Sequence, residues 1–245
     1  MKATITGING FIGSALNKRL LSMGWETFEV LRPDVNYVFL FGSPSSNVWF
    51  NHALTYSVRE TVGNFISVAD YCREHTIKLI YPSSGTVYQG STAYAKTKKI
   101  LELLASIYDD TLGLRIFAGY GPGEGHKKDY SSVVYSFIQE MKAGRKPVIW
   151  GDGTQIRDFI YIDDIIDNIM KFRHKAGVVD IGTGLGWTFN QVVKIINWKL
   201  GSNIKPSYIK RPDLYVDESI SKSSSGYKIS LLEGIERIIN EETME

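Results

Sequence analysis

Apolar positions along this chain repeat with two periods, and the change from one to the other marks its elements. Residues 2 to 6 (KATIT) form a short β-prone run that stops at Gly7, after which Phe11, Ile12, Ala15, Leu16 and Leu20 recur at helical spacing until Gly24. That predicts strand, glycine turn and helix. A second unit follows, with a wholly apolar strand at Val38 to Phe41, a helix over 57 to 74 and a buried strand at Lys78 to Tyr81. Alternation of this kind indicates a parallel sheet covered by helices.

A third helix is predicted over 92 to 108, with Ser91 or Thr92 as N-cap. Tyr94, Lys98, Leu101, Ala105 and Tyr108 follow at steps of four and three, so they share one face. The next strand is Leu112 to Phe117, ended by AGYGPGEG. Beyond it the pattern becomes irregular. Helices near 131–143, 188–200 and 230–240 and a strand near 177–181 suggest a smaller α/β lobe.

Composition narrows the class. The 245 residues are 43% hydrophobic, enough for a substantial core, and 28 basic against 26 acidic residues leave a net charge of +2. Nothing in that balance suggests a surface for nucleic acid or anionic lipid. Cys72 is the single cysteine, which excludes an internal disulfide and a thiolate zinc cage, and the four histidines are too dispersed for a metal motif. No apolar run approaches the roughly 20 residues of a membrane helix, and the start does not read as a signal peptide. A soluble, cytoplasmic chain with small-molecule partners is expected.

Two motifs carry chemistry. TGINGFIG places Gly7, Gly10 and Gly13 between a strand and a helix, where glycines permit a tight turn and close approach of a pyrophosphate to the helix N-terminus. Its bland alternative is a glycine turn without a ligand. YPSSGTVYQGSTAYAKTKK places Ser84 at a strand end and Tyr94 one helical turn before Lys98. A tyrosine of pKa about 10 becomes a base near neutrality only if a neighbouring charge favours its phenolate, a role open to Lys98. A lone tyrosine and lysine at that spacing is more often surface decoration than catalysis; after a strand-end serine in a dinucleotide fold the balance reverses.

TGxxGFIG, SSxTVY, YAKTK, RIFAGYGPG and GDGTQIRDFIYIDD resemble the extended short-chain dehydrogenase/reductases, in the NAD-dependent epimerase/dehydratase family and nearest the UDP-glucose 4-epimerases. KRPD at 210–213 and GYKISLLEGI at 226–235 extend the likeness to nearly the whole chain. The resemblance implies a Rossmann-type, doubly wound parallel sheet of α/β class with a smaller C-terminal α/β substrate lobe. It places a dinucleotide-binding domain at residues 1–120 and a mainly substrate-binding lobe at 121–245, with some segments returning to the sheet.

The same resemblance implies NAD, or NADP, held by Gly7, Gly10, Phe11, Ile12, Gly13, Tyr94 and Lys98. Tyr94 would be the acid/base, Lys98 its electrostatic partner and Ser84 the third catalytic member. Thr86, Arg157 and Arg211 would bind a nucleotide-sugar substrate, and helices 57–74 and 92–108 would pair in a homodimer. The activity implied is a UDP-hexose 4-epimerase working through a 4-keto sugar. A nucleotide-sugar reductase or dehydrogenase and a non-catalytic binding module are the alternatives.

Four departures qualify that picture. Gly85 and Thr86 stand where dehydratases of the family carry acidic residues, Ala118 replaces a substrate-binding asparagine, and only ten positions separate Ser84 from Tyr94. Residues 25–36 are too few for the usual strand, helix, strand and helix, so the sheet is abbreviated near its second and third strands and the adenosine half of the cofactor site is cut down. Arg32 is either a ligand for a 2′-phosphate or, the preferred reading, a loop residue. His126, Lys127 and Lys128 read as a solvated loop, Trp150, Trp187 and Trp198 as packing, and Cys72 as a core residue.

Overall fold

The computed structural model describes residues 1–45, 47–212 and 215–241. Asp213, the last residue of the KRPD run, lies outside them, as does the side chain of Lys128. In chain order the first elements are β1 (Lys2–Thr6), α1 (Phe11–Ser22), β2 (Glu26–Phe28), β3 (Tyr37–Leu40), α2 (Asn47–His52), α3 (Leu54–Glu74), β4 (Lys78–Ser84), α4 (Ala93–Ala105) and β5 (Thr111–Ile116). There follow β6 (Ala118–Tyr120), α5 (Val133–Lys142), β7 (Val148–Trp150), β8 (Ile156–Arg157), β9 (Phe159–Tyr161), α6 (Ile162–Phe172) and β10 (Gly177–Ile181). The last are β11 (Trp187–Thr188), α7 (Phe189–Leu200), β12 (Ser207–Ile209), β13 (Glu218–Ser219) and α8 (Leu231–Glu241).

Two compact units result, one of Met1–Ile116 with Ile166–Asp180, the other of Phe117–Ile165 with Ile181 onward. The first holds a six-stranded sheet of order β10-β5-β4-β3-β1-β2. Its central strands are apolar on both faces, as strands covered by helices must be. Val38, Leu40, Leu79 and Tyr81 pack with Phe65, Val68 and Cys72 of α3 and Leu101 and Ala105 of α4 in one buried cluster. The second unit holds short sheets, β11-β8-β13, β12-β7 and β6-β9. Among the described residues no helix is long and apolar enough to cross a membrane.

Residues 25–36 differ from expectation. They do hold a second strand, because β2 needs three residues to pair in parallel with β1, Lys2 opposite Glu26 and Thr4 opposite Phe28. What they lack is a crossover helix and a third strand. The linker 29–36 runs back across one face of β1, where Thr4 Oγ1 donates to the Val30 carbonyl at 3.0 Å, and it is fastened at the strand's start by the Asn36 amide on the Lys2 carbonyl at 2.9 Å. Phe28, Leu31 and Val35 fill the place of a helix against the core cluster. Eight extended residues reach about 26 Å, ample to return along so short a strand. The doubly wound order with two strands beyond the first is thus reduced to one.

Smaller differences concern helix ends. Thr92, not Ser91, caps α4, accepting from the Ala95 amide at 3.2 Å, and the helix stops at Ala105, so Tyr108 lies beyond it. The short helix α2 has no counterpart in the expected elements; its Phe50 is fully buried.

Candidate active site

At the carboxyl end of β1 the chain turns through Gly7, whose φ of +70° strains any other residue. A Cβ on Gly13 would lie 2.1 Å from the Gly7 carbonyl oxygen, so both positions require glycine for the helix to meet the strand this closely. Gly10 is the N-cap of α1 and no side chain caps the first turn. A helix start of this kind, open and without acidic residues in its first turn, fits a pyrophosphate. Phe11 and Gly13 are among the residues α1 buries; Ile12 is half-buried beside them.

The second strand is too short to show in the sequence pattern, and with it goes Glu29, an exposed acid directly beyond Phe28 at the carboxyl end of β2. That is where a dinucleotide fold carries the acid for the ribose hydroxyls. Arg32 does not share this role. It forms an ion pair with Asp34 at 2.9 Å and stacks over Phe28 at 4.3 Å, which agrees with its reading as a loop residue.

Ser84, Tyr94 and Lys98 come together in the first unit. Ser84 ends β4 in extended conformation and its Oγ accepts from the Thr86 amide at 3.2 Å, starting a tight 3-10 turn over Gly85–Tyr88. The Thr86 hydroxyl lies 2.9 Å from Ser84 Oγ. Tyr94 and Lys98, one turn apart on α4, are 9% and 1% exposed, and Lys98 Nζ sits 5.6 Å from the centre of the Tyr94 ring. Phe50 packs edge-on against that ring at 5.3 Å.

Burial pushes the Tyr94 phenol up to about 12, with the Ser84 hydrogen bond pulling the other way. It pushes the Lys98 ammonium down to about 8, and among the described residues no carboxylate pairs with it. Lys98 is not among the groups that lower the Tyr94 phenol; the Ser84 hydrogen bond is. A buried ammonium without an anion is the more telling feature: it is expensive unless something polar is to meet it. Lys98→Met is accordingly expected to stabilise the ligand-free protein at pH 7 by about 1–3 kcal/mol. The folded lysine titrates below its ordinary 10.5, so wild-type stability rises with pH between about 8 and 10.5. Urea denaturation at both ends of that window should show the rise in the wild type and its loss in the variant.

The second unit holds the arginines. The Arg157 guanidinium lies between the rings of Phe189 and Tyr215, at 5.6 and 5.5 Å, and donates to the carbonyls of Ile156 and Val216 at 2.8 and 2.6 Å. Arg211 pairs with Asp217 and borders a cavity of ≈ 230 Å³ lined also by Trp150, Gln155 and Tyr215. Asp158, next to Arg157, is wholly buried and accepts from the Thr183, Gly184 and Ser221 amides, so it organises this unit's loops. Ala118 opens β6 with its amide on the Asp158 carbonyl.

Of the remaining residues, His126 bonds the Gly123 carbonyl and Lys127 the Glu124 carboxylate, while Cys72 is buried and its thiol is pushed up to about 12. Trp198 is not packing material; it is exposed on α7. Among the described residues no cluster of histidine, cysteine or acidic side chains could hold a metal ion.

A glycine turn before an open helix start and a buried set of Ser84, Tyr94 and Lys98, both on one parallel sheet, place the chain in the Rossmann-type α/β class. Residues 26–182 match the model of the NAD dependent epimerase/dehydratase family, and the chain belongs to that family. It is 30% identical over 205 residues, 71% of its length, to a Methanocaldococcus jannaschii protein provisionally named UDP-glucose 4-epimerase. To the UDP-glucuronate 4-epimerase of Thermodesulfobacterium geofontis it is 31% identical over 192 residues, 66% of its length. The matched stretches span 66% and 58% of those two proteins. The fold is shared throughout with the UDP-glucose 4-epimerase of Thermotoga maritima, solved with UDP-glucose (TM-score 0.91, 22% identity, 100% of both chains). It is also shared with the UDP-N-acetylglucosamine 4-epimerase of Methanobrevibacter ruminantium M1 (TM-score 0.88, 22% identity, 99% and 98%).

Proposed function

We propose that this chain is a nucleotide-sugar epimerase acting at C4 of a UDP-hexose with NAD. The observation that carries the reading is the buried set of Ser84, Tyr94 and Lys98 at the carboxyl end of β4, in a fold whose first turn suits a pyrophosphate. Gly7, Gly10, Phe11, Ile12 and Gly13 would hold the pyrophosphate side of NAD, Glu29 a ribose, and Lys98 the other ribose. Bound NAD would supply the hydride acceptor and donor. Tyr94 would take the proton of the sugar 4-hydroxyl and return it. Ser84 would share that hydroxyl, and Lys98 would hold positive charge beside the phenolate while it exists.

Thr86 would contact the sugar; Arg157 and Arg211 suit a diphosphate, as guanidinium groups do. Gly85 and Thr86 offer neither acid nor base for losing water, which speaks for epimerisation over dehydration. The division of labour follows the family: residues 1–120 for the dinucleotide, 121–245 mainly for the substrate, in a cytoplasmic protein.

Conversion of UDP-galactose to UDP-glucose without net accumulation of NADH is the expected result. Stoichiometric NADH, or consumption of added NADH or NADPH on a keto sugar, would replace the epimerase by a dehydrogenase or reductase. No turnover of any UDP-sugar would leave a binding module.

A homodimer is also proposed. Ile100, Leu103 and Ile107 form an apolar stripe at steps of three and four along and just past α4, with Leu103 62% and Ile107 71% exposed, and Ile66 of α3 is exposed as well. Such a stripe on two packed helices is expected to be covered. Light scattering at micromolar concentration should give a dimer for the wild type and a folded monomer for Leu103→Glu.

A further inference from the structure

We propose that Tyr88 is a positioning residue for the Ser84 and Tyr94 pair, acting through a clamp in which the buried Glu102 is joined by the half-buried Arg115 and Asp180. The inference rests on the catalytic reading of that pair. α4 carries Tyr94, Lys98 and Glu102 at steps of four, hence on one face. The first two belong to the site. The third is gripped from both neighbouring strands: Ser83 Oγ of β4 donates to Glu102 Oε1 at 2.6 Å, and Arg115 of β5 donates through Nε and Nη2 to the two oxygens at 2.7 and 2.8 Å. Ser83 and Arg115 are register partners, so one carboxylate ties α4 to two adjacent strands beside Ser84. With Thr92 capping its other end, α4 has little freedom to slide or roll over β4.

Tyr88 extends the clamp to the turn that carries Thr86. Its hydroxyl accepts from Arg115 Nη1 at 2.8 Å and donates to Asp180 at 2.8 Å, while Arg115 also lies over its ring at 4.8 Å. The turn Gly85–Tyr88 is thereby held at both ends, at Ser84 by the Thr86 amide and at Tyr88 by the β5 arginine and the β10 aspartate. Ser84 cannot move relative to Tyr94 unless this network yields. A connection of only ten positions between Ser84 and Tyr94 makes such a clamp necessary, because few other residues remain to shape it.

Tyr88→Phe removes one hydroxyl and keeps the ring, which is partly exposed, so the fold should survive. Assayed with NAD and the nucleotide sugar the wild type turns over, kcat should fall about 10- to 100-fold, as for a reacting group displaced by about 1 Å. KM and NAD affinity should stay within about twofold. Loosening Ser84 from Tyr94 removes an interaction that favours the phenolate, so the acid limb of the kcat pH profile should move to higher pH; Asp180→Asn should move it the same way. A lower melting temperature with unchanged kcat and unchanged limb would overturn the inference, as would a fall in kcat without any movement of the limb. Tyr94→Phe runs in parallel. If it keeps wild-type turnover, or if no nucleotide sugar is turned over, the catalytic reading itself fails and takes this inference with it. If it is inactive while Tyr88→Phe behaves as wild type, only the inference falls.

Discussion

Tyr94→Phe is expected to lower turnover of the nucleotide sugar by about 10²–10⁴-fold, the range that general acid-base groups contribute, while leaving NAD binding within about twofold. The change removes one oxygen from a ring packed edge-on against Phe50 and bordered by Lys98, so neither packing nor the charge beside it is altered. With its phenol pushed up to about 12 in the ligand-free chain, Tyr94 is neutral at pH 7. To act as the proposed base it needs further positive charge beside it. Turnover in the wild type should therefore fall on the acid side as Tyr94 takes up its proton, and that limb should be absent from the residual activity of the variant. Rates measured from pH 5 to 9 on both proteins, beside NAD titrations, test this; equal activity would remove Tyr94 from the chemistry.

The second large effect is on stability. Arg115→Leu should destabilise the fold by about 3–5 kcal/mol, the cost of leaving a buried carboxylate without its main partner, and lower the melting temperature by roughly 10 °C or more. Burial alone would raise the Glu102 carboxyl, yet hydrogen bonds from Arg115, Ser83 and Lys99 hold it below its ordinary value. A carboxylate depressed in the folded state contributes stability at neutral pH that is lost as pH falls through and below the ordinary carboxylate range of about 4. The gap between wild type and variant should be widest near pH 7 and close on acidification. Thermal melts at pH 7 and pH 4 measure it, and a constant gap would mean that packing, not the ion pair, carries the arginine's contribution.

The elements that the sequence marked most clearly are those whose local and tertiary demands agree. β1, α1, β3, β4, α4 and β5 follow from apolar runs bounded by glycine or a capping threonine. Ser84, Tyr94 and Lys98 could be paired because a strand end and one helical turn set their places within a few residues. β2 was lost because three residues carry too little periodicity to show, and Glu29 was lost with it. α2 was lost because only its contact with Tyr94 reveals a function for Phe50. Arg157 was visible as a residue type, whereas its seat between two rings and two carbonyls was not.

By itself the sequence determined the class of fold, the glycine turn, the family and the spacing of the candidate residues Ser84, Tyr94 and Lys98, since each depends on short-range spacing that the chain writes out directly. Only the tertiary structure decided that Lys98 lies buried with no carboxylate partner among the described residues, that burial pushes the Tyr94 phenol further up, and that Glu102 joins α4 to two strands through Ser83 and Arg115. Those properties arise from desolvation and from contacts between residues up to 92 positions apart, as between Tyr88 and Asp180, and no periodicity along the chain encodes them.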